Sequence, residues 1–260
     1  MRIPLIALLS GVLISTLLAG TAGAAVTTGH LAPVPTGKAA LTANPIYKTG
    51  KLEPDACPEQ PVYNDDLATA ETYLSFALDC LNEGWEYQFA KAKLPFSKPR
   101  FVVTTRLGVP TGCGKFPKGA QAVYCSLNKK ITFYLDKGIL SQATELFLLQ
   151  TLAHEYGHHV QQLSGILPTV FKRKYKNDRE YLPELRKVEL QAECLSGAFI
   201  GSIWRSLGRR ESDFRYVLSA AYSTASHGTT KSITYWVTRG FQQETPGSCN
   251  TFSAPKSRVA

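Results

Sequence analysis

Apolar side chains recur with a helical period in the first third of the chain. Asn64 or Asp65 can cap a helix that runs to about Asn82, and Gly84 is expected to end it. The apolar face of this predicted helix consists of Leu67, Ala70, Leu74, Ala77, Leu78 and Leu81.

The same period returns in the second half of the chain. It predicts a helix that Gly165 and Pro168 stop, and a second helix with Pro183 near its first position. Together with two further helices, the predicted ranges are about 141–163, 183–207, 211–226 and 229–240.

Two short runs rich in β-branched and aromatic residues, 101–105 and 131–135, predict strands. Between them, residues 111–125 are expected to form a Gly-rich loop that a disulfide can staple. The predicted fold class is therefore α+β, a small sheet followed by a mainly helical, disulfide-stapled half.

The N-terminal region predicts export. Arg2, an apolar run and the small residues Ala22-Gly23-Ala24 have the order of a secretory signal peptide over residues 1–24. An uncleaved anchor that holds the protein on the outer face of the cytoplasmic membrane is the alternative. Residues 25–44, rich in Ala, Thr, Pro and Gly, are predicted to be a flexible linker, and residues 45–260 one domain.

Composition supports a folded, exported domain. Hydrophobic residues make up 44% and charged residues 19%, a balance that excludes disorder for most of the chain. Without Arg2, 28 basic and 20 acidic side chains leave a net charge of +8. This charge is compatible with loose association with an anionic cell envelope, although simple solubility also accounts for it. No motif supports nucleic-acid binding.

Six cysteines, an even number, are typical of an exported protein with disulfides. Metal ligation is the alternative, but the chain has no Cys-x-x-Cys pair. Pairing sequence neighbours is the simplest of the 15 arrangements, and it joins Cys57 to Cys80, Cys113 to Cys125, and Cys194 to Cys249.

The segment His154-Glu155-Tyr156-Gly157-His158 carries the chemistry. On a helix, His154 and His158 project about 40° apart, so both imidazoles can bind one metal ion. Glu155 can then act as general base on a water molecule. His159 is turned about 140° from His154 and is not assigned as a ligand. A His/His/carboxylate set with an open position favours zinc.

A third ligand must come from a later segment. The candidates are Glu180, Glu184, Glu189 and Glu193. Glu189 and Glu193 stand four residues apart, so one can bind the metal while the other hydrogen-bonds a ligand histidine. The small residues Gly157, Ala192 and Gly197 allow close helix packing.

Four ordered motifs resemble the neutral zinc metallopeptidase family of bacteria, which is itself similar to the gluzincins. They are His154-Glu-Tyr-Gly-His-His-Val-Gln, Val188-Glu-Leu-Gln-Ala-Glu-Cys-Leu-Ser-Gly, His227-Gly-Thr, and Arg239-Gly-Phe with Cys249-Asn-Thr-Phe. The resemblance covers about residues 44–252 and implies a zincin-like catalytic half.

By this resemblance, Glu189 matches the third ligand and Glu193 the partner of a ligand histidine. Glu193 departs from the family, which usually has Asp there, by one methylene. The His-Gly-Thr match makes His227 a candidate donor to the developing oxyanion, with Tyr222 and Tyr235 as weaker alternatives. A capping or surface role is the other interpretation of His227.

The sequence thus predicts a secreted, monomeric zinc metalloendopeptidase that binds one Zn²⁺ per chain and acts on peptides or proteins. Two other interpretations remain open. One is an inactive, zinc-stabilised binding or scaffold protein, and the other is an envelope-binding protein that acts through its basic surface.

Overall fold

The computed structural model describes residues 31–54, 56–219 and 221–260. The predicted signal peptide and residues 25–30 of the predicted linker lie outside the described residues. Within the described part, no helix combines the length and apolar character that a membrane span requires.

A three-stranded sheet supports one side of the fold. Strands β1 (Arg100–Thr104) and β3 (Lys130–Tyr134) pair in parallel, and β2 (Ala122–Cys125) pairs with β3 antiparallel, in the order β1-β3-β2. The two predicted strands are confirmed, each shifted by one residue. The prediction of a loop throughout 111–125 was wrong at its end, because β2 forms by pairing with β3.

Two long helices carry the motifs. Helix α4 (Glu145–Leu163) begins where the Thr144 hydroxyl accepts a hydrogen bond from the Phe147 amide, and a separate short helix, α3 (Lys137–Leu140), precedes it. Helix α6 (Asp178–Ile203) is capped by Asn177 and begins five residues before Pro183. The prediction that Pro183 lies near the first position of this helix was wrong. Pro183 lies inside the helix, where its ring has no N–H to donate to the carbonyl of Arg179.

Small residues let these helices approach closely. A Cβ atom at Gly157 would lie 3.0 Å from both the Cα and the carbonyl oxygen of Ala192, so the backbones of α4 and α6 nearly touch. Gly197 on α6 contacts Val237 and Gly240 contacts Cys194, which brings helix α8 (Thr230–Gln243) against α6 in the same way.

Helix α2 (Leu67–Lys91) packs on α4 and is longer than predicted. Its cap is Asp66 rather than Asn64 or Asp65, and Gly84 lies inside the helix instead of ending it. A Cβ atom at Gly84 would lie 3.2 Å from Pro54 and 3.5 Å from Phe199. The glycine therefore provides room for neighbouring segments and does not act as a terminator.

The predicted linker contributes to the folded part. Residues 37–42 form helix α1 (Gly37–Thr42), and the buried Asn44 amide donates to the carbonyls of Ser164 and Ala40. Gly165, with φ of +83°, turns the chain, but Pro168 lies within a further short helix, α5 (Ile166–Phe171), that packs on α1.

The segment predicted as one helix over 211–226 is helical only in its first part. It contains a 3₁₀ turn (Glu211–Asp213) and one short helix, α7 (Phe214–Ser219), and residues 221–229 form a loop before α8. This loop carries His227.

All six cysteines are paired, in the arrangement that the sequence predicted: Cys57–Cys80, Cys113–Cys125 and Cys194–Cys249. Disulfides of this number are typical of proteins exported from the cytoplasm. The α+β fold class is confirmed.

Candidate metal centre

The two histidines of α4 lie side by side above α6. The ring centroids of His154 and His158 are 4.9 Å apart and the rings meet edge to face, as expected for positions four residues apart on a helix. Both side chains are only 12% exposed, so the pair is largely shielded from solvent.

Glu189 of α6 reaches both rings. Its Oε2 atom lies 3.4 Å from His154 Nε2 and 3.1 Å from His158 Nε2, and all three ligand atoms lie within 4.8 Å of one another. Ligands about 2.0–2.1 Å from a tetrahedral zinc ion are about 3.3 Å apart. The two separations from Glu189 Oε2 are therefore compatible with a zinc ion held by these three side chains.

The other nitrogen of each ring faces a second polar group. His154 Nδ1 lies 3.3 Å from Glu193 Oε1, and Gln150 Nε2 donates to Glu193 Oε2 over 3.1 Å. His158 Nδ1 lies 2.9 Å from Gln161 Oε1. These contacts leave Nε2 of both rings directed at Glu189, the arrangement in which outer groups orient metal-binding imidazoles.

The carboxylate of Glu189 and the rings of His154 and His158 stabilise each other's charged forms. Burial lowers the pKa of His154, but the carboxylates of Glu193 and Glu189 outweigh burial and hold this pKa well above its usual value. Burial raises the pKa of Glu189, yet His158 and His154 outweigh it and hold the pKa well below the usual range. Binding of a cation would therefore displace protons from the imidazoles.

Glu155 follows His154 directly and is buried beside the pair. Burial raises the pKa of its carboxyl group, opposed in part by the positive rings of His154 and His158. Its carboxylate accepts a hydrogen bond from the backbone N–H of Tyr124 on the edge strand β2. The sheet thus supplies a hydrogen-bond donor to this carboxylate.

The loop before α8 brings His227 to the same place. Its Nε2 lies 3.3 Å from Glu189 Oε2, and its ring lies 5.9 Å from the His154 ring, nearly parallel to it. The loop closes through paired backbone hydrogen bonds between Thr224 and Gly228, and Arg186 of α6 donates to the Ala225 carbonyl. Burial lowers the pKa of His227, so its neutral form is favoured.

The remaining candidates have other partners. Glu184 pairs with Arg173 and Lys187, and Glu180 accepts from the Lys176 amide. The prediction that His159 lies off the ligand face agrees with its contacts, since Nδ1 meets the Tyr124 hydroxyl at 3.0 Å and Nε2 meets the Ser97 carbonyl at 2.6 Å.

The two tyrosines named as alternatives to His227 also lie in other environments. The side chain of Tyr222 is 68% exposed. The ring of Tyr235 lies 3.9 Å from the Arg258 guanidinium.

The sequence interpretation missed the amides around the site. Gln150 precedes His154 by four residues and Gln161 follows His158 by three, so both lie near the ligand face of α4. Their spacing from the two histidines was the signal in the sequence that could have identified these amides. The Tyr124 amide gave no such signal, because its approach depends on the pairing of β2.

Known proteins are similar to this chain over the segment that contains His154, His158 and Glu189. The family described as "Putative neutral zinc metallopeptidase" matches residues 57–225. "Uncharacterized protein YpfJ" of Escherichia coli K12 is 28% identical over 212 residues, which cover 73% of each chain. "Uncharacterized protein Rv2575" of Mycobacterium tuberculosis H37Rv is 28% identical over 183 residues, 56% of this chain and 60% of that one. No solved structure matches the chain.

Proposed function

Because this chain belongs to the neutral zinc metallopeptidase family, we propose that it is a zinc-dependent endopeptidase. The observation that carries the proposal is the convergence of two imidazole Nε2 atoms, from His154 and His158, on one carboxylate oxygen of Glu189. These three side chains would hold one zinc ion per chain. Zinc, when bound, would lower the pKa of a water molecule and polarise the scissile carbonyl.

Glu155 is the proposed general base. Glu155 follows His154 directly in the sequence, it is buried, and its carboxylate accepts a hydrogen bond from the Tyr124 amide. Burial raises the pKa of Glu155 above its ordinary value, the direction that suits a group that takes a proton from the attacking water and passes it to the leaving amine.

His227 is the proposed donor to the developing oxyanion. Its Nδ1 lies 3.1 Å from the Thr224 hydroxyl and 3.0 Å from the Ser226 hydroxyl, and either can donate to it. A neutral ring whose Nδ1 accepts carries its proton on Nε2, the atom that lies 3.3 Å from Glu189 Oε2. Such a donor contributes about a hundredfold to a thousandfold in rate.

The expected setting is extracellular. Three disulfides support export from the cytoplasm, and we propose a secreted, monomeric enzyme that acts on peptides or proteins. The positive net charge is compatible with loose contact with an anionic cell envelope.

The test compares Glu155→Gln with a matched control, Glu180→Gln, at the exposed start of α6. Glu155→Gln should retain one zinc per chain and lose peptide hydrolysis by about a hundredfold to ten-thousandfold. Glu180→Gln should retain both, and His227→Ala should retain zinc with slower hydrolysis.

A wild-type protein that binds zinc but cleaves no member of a fluorogenic peptide library would contradict the proposal. That result would favour a zinc-stabilised binding protein. Full activity of Glu155→Gln would contradict the assigned base alone.

A further inference from the structure

We infer that Gln161 and Gln191 are positioning residues that keep the proton of His158 on Nδ1 and leave Nε2 for the metal. Both glutamines are fully buried between α4 and α6. The inference rests on the proposed zinc site, but not on peptide hydrolysis. The two amides and the Tyr47 hydroxyl are referred to below as the amide relay.

Two carbonyl groups fix the direction of the first amide. Gln161 Nε2 donates to the Val188 carbonyl over 2.8 Å and to Gln191 Oε1 over 3.0 Å. A carbonyl oxygen can only accept, so the atom that faces Val188 must be the amide nitrogen. The Oε1 atom of Gln161 therefore faces His158, and it can only accept the proton of Nδ1.

The hydrogen bonds of Gln191 determine the orientation of the Gln161 amide. Gln191 Nε2 donates to the Cys249 carbonyl over 2.9 Å and to the Tyr47 hydroxyl over 2.8 Å, and the hydroxyl donates onward to the Leu41 carbonyl. With both donors used, Gln191 Oε1 is the atom left for Gln161. An amide flip at either glutamine would set two donors or two acceptors face to face in a buried place, at a cost of about 1–3 kcal/mol for each unpaired group.

The neutral amide suits its position. Glu155, Glu189 and Glu193 already bring three carboxylates to the two rings. A fourth carboxylate next to His158 would have to be buried with a further negative charge, which is costly without a matching cation. An amide accepts the same proton without that charge.

The relay also connects the metal centre to distant segments. It ends at Cys249, which forms a disulfide with Cys194 of α6, and at Tyr47, which follows α1. The orientation of the His158 ring is thereby tied to the N-terminal and C-terminal parts of the described chain.

The experiment measures zinc affinity by competition with a chelator, for wild type, Gln161→Met, Gln191→Met and a matched control. The control is Gln88→Met, which removes an equally buried amide on α2 that donates to the Lys51 carbonyl. Gln161→Met should weaken zinc binding by about 10-fold to 100-fold. Gln191→Met should weaken it less, because it acts through Gln161, and Gln88→Met should leave it unchanged.

Nitrogen-15 spectra of the histidine rings in the zinc-loaded protein provide a second readout. In wild type, His158 should carry a hydrogen-bonded Nδ1 proton that exchanges slowly with solvent, and Gln191→Met should speed that exchange. These spectra decide the question if Gln161→Met does not fold.

Equal zinc affinity in folded Gln161→Met and Gln88→Met, or a His158 ring bound to zinc through Nδ1, would overturn the inference. Neither result bears on peptide hydrolysis, which is measured separately. Conversely, wild type that binds zinc without cleaving peptides would sink the proposed function and leave the relay intact.

Discussion

Replacement of Gly157 by alanine tests whether the contact between α4 and α6 sets the geometry of the site. The new Cβ atom would lie 3.0 Å from the Cα and carbonyl oxygen of Ala192, whereas ordinary contacts begin at 3.4 Å. Backbone atoms cannot rotate away as a side chain can. The two helices must therefore separate by about 0.4 Å.

Two opposing effects decide the change in stability. Alanine in a helix interior is favoured over glycine by about 1 kcal/mol. Overpacking of a well-packed contact costs about 1–3 kcal/mol. The free energy of unfolding of Gly157→Ala should therefore fall by about 0–2 kcal/mol.

Zinc affinity should respond more strongly than stability. Ala192 lies on α6 only three residues from Glu189, so a shift of the helix carries the carboxylate away from the rings of α4. Metal–ligand distances tolerate only about 0.2 Å. A displacement near 0.4 Å should thus weaken zinc binding by about tenfold or more.

The assay combines urea denaturation of the metal-free protein with chelator competition for zinc. Gly138→Ala is the matched control, because a Cβ atom there meets only Asp136 Oδ1 at 3.4 Å. This control should gain about 0.5–1 kcal/mol and bind zinc as wild type does. The reasoning is refuted if Gly157→Ala gains stability as the control does and binds zinc equally well.

Three further outcomes are expected. Removal of zinc by a chelator should lower the free energy of unfolding by about 2.7 kcal/mol, relative to protein in free zinc at 100 times the Kd. A thermal midpoint that does not change on chelation would contradict a zinc site in the folded protein. Replacing Cys194 and Cys249 by serine removes a disulfide of sequence separation 55 and should lower the free energy of unfolding by about 4 kcal/mol. The same change at Cys113 and Cys125, with separation 12, should lower it by about 3 kcal/mol, and a reversed order in denaturant titration would contradict this expectation. Burial lowers the pKa of His159 from its usual 6.5 to about 4, so the unfolded chain binds a proton that the folded chain excludes between these values. The stability that the neutral ring contributes is complete above pH 6.5 and is lost as the pH falls to 4. The difference in free energy of unfolding between wild type and His159→Gln should therefore shrink on the order of 3 kcal/mol across that window. A difference that stays constant with pH would contradict this expectation.

Local patterns located the long helices α2, α4 and α6 but not all of their ends, and they predicted the strands in part. Helix α4, which carries His154 and His158, ends at Leu163 as its apolar period indicated. Such a prediction succeeds because helical hydrogen bonds and periodicity depend on residues that are near neighbours in the chain. Strand β2 was missed because four residues carry little periodic signal and its partner, β3, is selected by the tertiary fold. Gly84 was misread for a related reason, since its role is contact with Phe199.

Ligand choice shows the same division. Sequence spacing alone left four glutamates open, and resemblance to a family favoured Glu189. The fold brings Glu189 to the rings and directs Glu184 to Arg173 and Lys187 instead. Glu193, one methylene longer than the family residue, still reaches His154 Nδ1 at 3.3 Å.

The sequence by itself determined that two imidazoles share a helix face with a carboxylate beside them, because a spacing of four residues fixes that arrangement within one helix turn. Only the tertiary structure decided which distant groups complete the site: Glu189 across the Gly157 contact, His227 on its loop, and the amide that faces His158. The physical reason is that these partners depend on the distance and rotation between packed elements, which are set by many contacts far apart in the chain.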